Sequence, residues 1–140
     1  MFTINKRYTD YNGTEREETL MFNLSPAECV DFEFSTPGSL SSLIETIVKS
    51  KDTAESMKLF KEIILKAYGE KSADGKYFHK SKEISEAFSH TEAFSDLYME
   101  LITDDEFASE FFNNIMPKNL DAYIKKLEKK EKENKVKEKE

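Results

Sequence analysis

The chain has no tryptophan, one cysteine, two histidines, three prolines and four glycines among its 140 residues. The lone Cys29 cannot close an intramolecular disulfide, which fits a reducing compartment. It also cannot supply the paired thiolates of a structural zinc site, and no His-x-x-x-His or calcium-type acidic loop takes their place. Gly13, Gly38, Gly69 and Gly75 are too scattered to form a phosphate-cradling loop. No run approaches the roughly 20 apolar residues that a membrane span needs, and no charged-then-apolar leader opens the chain. The expected location is therefore the cytosol. A nucleophilic pair of Cys29 with His79 or His90 would need contact within hydrogen-bond reach, and nothing in the sequence brings them together. An ordinary buried cysteine and two surface histidines are expected instead. No catalytic residue, metal ligand or cofactor site is assigned, and the chain is read as a non-enzyme.

What is present is charge and aromatic carbon. The net charge is −7. Residues 125–140 hold eight Lys and five Glu, a local +3, so the first 124 residues hold 13 basic against 23 acidic side chains, a local −10. An acidic body repels phosphate backbones, so nucleic acid is not an expected partner. The Lys/Glu-rich segment 125–140 reads as a helical or disordered tail, since beyond Leu127 only Val136 is apolar and little surface is available to offset ordering entropy.

The fold expected from the patterns is α+β and predominantly helical: one domain over 1–124, with a β-hairpin in 1–24 packed on a bundle of five or six short helices in 25–124. Phe2, Ile4 and Tyr8 fall at period two, and Leu20, Phe22 and Leu24 alternate with Met21 and Asn23. Asn12-Gly13 between them suits a tight type I′ turn. A lone hairpin is marginal in water, so its apolar face should pack on the helices C-terminal to it. Ser25-Pro26-Ala27-Glu28 reads as a helix start with a reciprocal cap, although Val30, Phe32 and Phe34 behind it alternate. Leu40, Leu43, Ile44, Ile47 and Val48 repeat at helical spacing, as do Met57, Phe60, Ile63, Ile64, Ala67 and Tyr68, with Asp52 and Glu55 as caps. Gly69 stands where a left-handed residue commonly ends a helix. A loop with the Asp74-Gly75 turn then carries Tyr77 and Phe78. Ile84, Ala87 and Phe88 form a further stripe, followed by Phe94, Leu97, Tyr98 and Leu101. Thr103-Asp104-Asp105-Glu106 reads as a capping box for a helix carrying Phe107, Phe111, Phe112 and Ile115, and Pro117 ends it. These three adjacent acids are accounted for by the positive end of the helix dipole. A last helix is expected from Asn119, with Leu120, Tyr123, Ile124 and Leu127.

The aromatic side chains are crowded. Phe88, Phe94, Tyr98, Phe107, Phe111 and Phe112 lie on short helices, and the neighbours Phe111 and Phe112 are separated by about 100° of helical turn. Either the helix buries a wide face, or one ring is a docking anchor, as aromatic residues often are at interfaces. Tyr98, Phe107, Phe111 and Phe112 are the candidate partner-binding residues.

From Phe60 through Ala67-Tyr68-Gly69 and Ala73-Asp74-Gly75 to Tyr77-Phe78, the chain resembles the central block of tail assembly chaperones from long-tailed phages of Gram-positive hosts. So do Ser85-Glu86-Ala87-Phe88, Thr91-Glu92-Ala93-Phe94 to Leu101, Thr103-Asp104-Asp105 and Asn113-Asn114-Ile115-Met116-Pro117. With the hairpin and Leu20 to Pro26, the likeness covers most of residues 1–117. The resemblance implies a chaperone that binds the tape measure protein, a very long helical chain, and keeps it soluble until the major tail tube protein assembles around it. It also implies a homo-oligomer absent from the mature virion and, in many members, a second form extended by a ribosomal frameshift. The run Lys125 to Lys139 would be read from A-rich codons of the kind on which ribosomes slip, which would make this chain the short form. The competing expectation is a small tail-completion or head–tail connector protein retained in the particle.

Overall fold

The computed structural model describes residues 1–35 and 54–118, and beyond them positions 122, 125, 126, 129, 130, 132 and 133. The expected helix of Leu40 to Val48 and the Asp52 cap lie outside the described residues. So does most of the expected last helix and tail, with Leu120, Tyr123, Ile124 and Leu127.

The chain opens with strands β1 (Phe2–Thr9) and β2 (Glu15–Phe22), paired antiparallel from Phe2 opposite Phe22 to Thr9 opposite Glu15. Alternation decides which face is buried. Phe2, Ile4, Lys6 and Tyr8 share one face with Leu20 and Phe22, whereas Thr3, Asn5, Arg7 and Thr9 face solvent with Glu15, Glu17 and Thr19. The hairpin turn corrects the expected two-residue form. The Asp10 N–H donates to the Thr14 carbonyl at 2.9 Å and the Gly13 N–H to the Asp10 carbonyl at 3.0 Å, so three residues make the loop and only the last, Gly13, is left-handed (φ 80°). The cause is Asp10, whose carboxylate accepts from the Asn12 and Thr14 N–H groups and from Arg16, closing a longer turn. The Arg16 bond, then that from Thr14, holds this carboxyl below its ordinary pKa.

Helix α1 (Pro26–Ser35) begins as its residues dictate: the Ser25 hydroxyl accepts from the Glu28 N–H and the Glu28 carboxylate accepts from the Ser25 N–H. Its alternating interior does not make a strand, because Cys29 and Phe32, one turn apart, are the buried pair and Phe34 points outward. After α2 (Ala54–Ala67) the chain enters strand β3 (Tyr68–Lys71) directly. Gly69 is therefore no helix cap. It pairs with Met21 of β2, and a Cβ on it would lie 2.9 Å from both the His79 carbonyl and the Phe78 ring. Phe78–His79 form β4, so the expected loop with Tyr77 and Phe78 is part of a second hairpin, and the sheet is four-stranded and antiparallel in the order β1-β2-β3-β4.

Three more helices complete the described fold: α3 (Lys82–Ser89), α4 (Glu92–Thr103) and α5 (Asp105–Ile115). The cap of α5 is Asp104, which accepts from the Phe107 N–H at 3.1 Å; Thr103 still belongs to α4, its hydroxyl turned back on the Met99 carbonyl. Phe88, Phe94, Leu97 and Leu101 are buried as their spacing requires, whereas Ala87 is exposed. The helices close over the apolar face of the sheet. Phe2 meets Phe111 at 5.1 Å and Phe107 at 6.0 Å, and Phe22 meets Phe111, Tyr68 and Phe88 at 5.2, 5.6 and 5.8 Å. Each fully buried ring contributes roughly 1.5–3 kcal/mol, which is what a hairpin needs to be stable. Two backbone bonds fix the chain after the hairpin, Asn23 N–H to Ala67 and Leu24 N–H to Ile115.

Candidate functional site

The reactive groups do not meet in a site. Cys29 is buried with its sulfur 3.8 Å from that of Met116. Burial, and then the neighbouring Glu28 carboxylate, push its thiol up to about 11, so the free thiolate is scarce near neutral pH. His79 lies exposed on β4, its ring stacked on Tyr77 at 5.8 Å, and His90 is the exposed residue at the C-terminal end of α3. Among the described residues no three His, Cys, Asp or Glu side chains gather as a metal site would require, and no helix is long and apolar enough to cross a membrane.

The candidate rings divide. Phe111 is 1% exposed and sits in the centre of the core between Phe2 and Phe22. Phe107 and Phe112 flank it on α5, partly buried, with Met116 at the helix end. Tyr98 is also partly exposed and stacks on Phe94 at 5.9 Å. Phe107 and Tyr98 stand at the two ends of one run of ring contacts that passes through Phe2, Phe22, Phe88 and Phe94. Each outer ring therefore rests on a buried ring, Phe107 edge-on against Phe2 and Tyr98 stacked on Phe94. This geometry can offer apolar contact to a partner.

A second feature was not foreseen from the sequence. A groove of about 350 Å³ runs between α1, α2 and the start of α3, its floor made of Leu24, Cys29, Phe32, Ile63 and Tyr68. At its rim the Lys66 ammonium lies 4.8 Å from the centre of the Phe32 ring. Lys80 closes one side, donating to the Glu28 carboxylate at 2.6 Å and to the Asn23 carbonyl. Burial alone would raise the Glu28 pKa, but the hydrogen bonds from Lys80 and the Ser25 N–H outweigh it and hold the carboxyl below its ordinary value. Glu28 thus serves both the cap of α1 and the tie from α1 to the connection between β4 and α3. Only the cap left a local signal; Lys80 is distant in sequence and its pairing carries none.

Comparison with known proteins gives one result. A family model described as phage tail assembly chaperone matches residues 1–140. No curated protein and no solved structure matches the chain.

Proposed function

The chain belongs to the phage tail assembly chaperone family, and from that premise we propose that it binds the tape measure protein and keeps it soluble while the tail is built. The observation that carries this reading is the family match over the whole length. The physics supports it. A holding chaperone needs apolar contacts that exchange readily on a body charged enough to stay in solution, and residues 1–124 combine a net charge of −10 with aromatic side chains at the surface. The contacts are those of Phe107, Phe112 and Tyr98, with Phe111 as the fixed ring behind them. Modest affinity per copy suffices, because several copies along one long client add their effects and can still be displaced one at a time by the tail tube protein. The action is non-enzymatic and needs no cofactor. It takes place in the host cytoplasm, and the chaperone leaves before the virion is complete. A frameshifted longer form is the natural second partner.

Co-expression with the tape measure protein of the same phage tests this. The client is expected in the soluble fraction with the chaperone and in the pellet without it; an unchanged distribution with both forms of the chaperone present contradicts the reading. Mass spectrometry of purified virions separates it from a structural tail protein, which would appear there in fixed stoichiometry.

A further inference from the structure

Among the described residues the sheet has two dissimilar edges. β4 is two residues long, which leaves little for another strand to pair with. β1 is eight residues long and contains neither proline nor glycine. The bond from the Asp10 N–H to the Thr14 carbonyl sets the parity of the hairpin: Tyr8, Lys6, Ile4 and Phe2 direct their main-chain groups toward β2, so Thr3, Asn5, Arg7 and Thr9 direct theirs outward. Such an edge is a template for pairing unless something guards it. An inward-pointing charge is a common guard, and Lys6 is in that position, buried to 8% exposure. Its ammonium, however, is hydrogen-bonded to the Glu100 carboxylate of α4. The charge that would discourage pairing is partly offset from within, enough for Lys6 to face an uncharged residue but not a second lysine.

We propose that β1 is a self-association edge, on which β1 of a second copy pairs antiparallel about a two-fold axis through Asn5, joining two four-stranded sheets into one. The charge pattern argues for a second copy as the occupant. A two-fold partner must obey the main-chain parity, so the axis passes through a residue and not between residues. An axis at Lys6 or Arg7 sets like charges directly opposite each other, which destabilises a strand pair. An axis at Thr3 or Ile4 shortens the overlap. With the axis at Asn5, Phe2 through Tyr8 of each copy are paired, and Arg7 faces the partner's Thr3. Lys6 then faces the partner's Ile4, and Phe2 faces the partner's Tyr8. Every cation meets an uncharged residue. On the solvent face Asn5 and Arg7 both contact Glu17, at 2.6 and 3.4 Å, so a carboxylate lies beside the cation on that face of the edge. This association is independent of any client.

Light scattering on the purified full-length chain, coupled to size exclusion, tests the proposal. The wild type is expected at twice the chain mass. Asn5→Lys places like charges on the axis and should raise the dissociation constant at least tenfold, with an unchanged circular dichroism spectrum. Asn5→Pro should do the same, because the N–H it removes points away from β2. As a positive control for geometry, Asn5→Cys should form a disulfide-linked dimer on mild oxidation, while Thr9→Cys, at the end of the overlap, should not; the buried Cys29 does not interfere. A wild type that stays monomeric at hundreds of micromolar, or an assembly that Asn5→Lys leaves intact and Asn5→Cys fails to cross-link, overturns the proposal.

Discussion

Phe111 and Phe112 are neighbours in the chain and have different fates. Phe111 is fixed between Phe2 and Phe22, whereas Phe112 lies at the margin of the core with one side in solvent. Replacing Phe111 by Ala should cost about 3–5 kcal/mol, as large-to-small changes in packed cores do. Phe112→Ala should cost less than about 2 kcal/mol and lower the amount of tape measure protein that co-purifies; urea melts and pull-downs on the two variants check both halves. If instead the two variants lose stability equally, Phe112 is core and not contact surface. Gly69 is the other residue whose role depends on its surroundings. The added methyl of Gly69→Ala would press on the Phe78 ring, which can move, and on the His79 carbonyl, which is backbone. Overpacking of this kind costs about 1–3 kcal/mol, expected as a lower urea midpoint with an unchanged slope.

Whether an element could be foreseen depends on how local its causes are. The first hairpin was legible because Leu20, Phe22 and Leu24 alternate and Gly13 marks the turn, and α1 because Ser25 and Glu28 cap each other within one turn. The second hairpin was not. The helical spacing of α2 runs on through Tyr68, and what makes Tyr68–Lys71 a strand is its pairing with Met21 and Phe22, far away in the chain. The α5 cap shows a smaller failure of the same kind, since Thr103 and Asp104 are both good caps and α4 claims Thr103 for its own last turn. The tie from α1 to Lys80, in the connection between β4 and α3, gives a prediction at this scale. The Glu28 pKa is depressed in the folded chain, so its stabilisation is fully present above the ordinary carboxylate range and is lost as pH falls through the folded value. The deficit of Glu28→Gln relative to wild type, from urea melts at a series of pH values, should be largest near neutrality and shrink toward strongly acid pH. A deficit that does not change with pH would mean that Lys80 gains nothing from the charge on Glu28.

At the scale of the molecule, the family and the fold class were readable, and the precise contact surface was not. Family resemblance is spread over many residues, and α+β comes from a change in hydrophobic period after Leu24. A docking ring, by contrast, differs from a core ring only in what lies above it. Tyr98, Phe107, Phe111 and Phe112 share one sequence signal, yet one of them is buried and three reach the surface. The acidic charge of residues 1–124 and the partly exposed rings of α4 and α5 fit the proposed holding role. The most direct test uses purified components. Tape measure protein diluted from denaturant should scatter light strongly alone and weakly with an excess of this chain, and a complex of the two should elute together in size exclusion. Equal scattering with and without the chain, and no shared peak, would contradict the account.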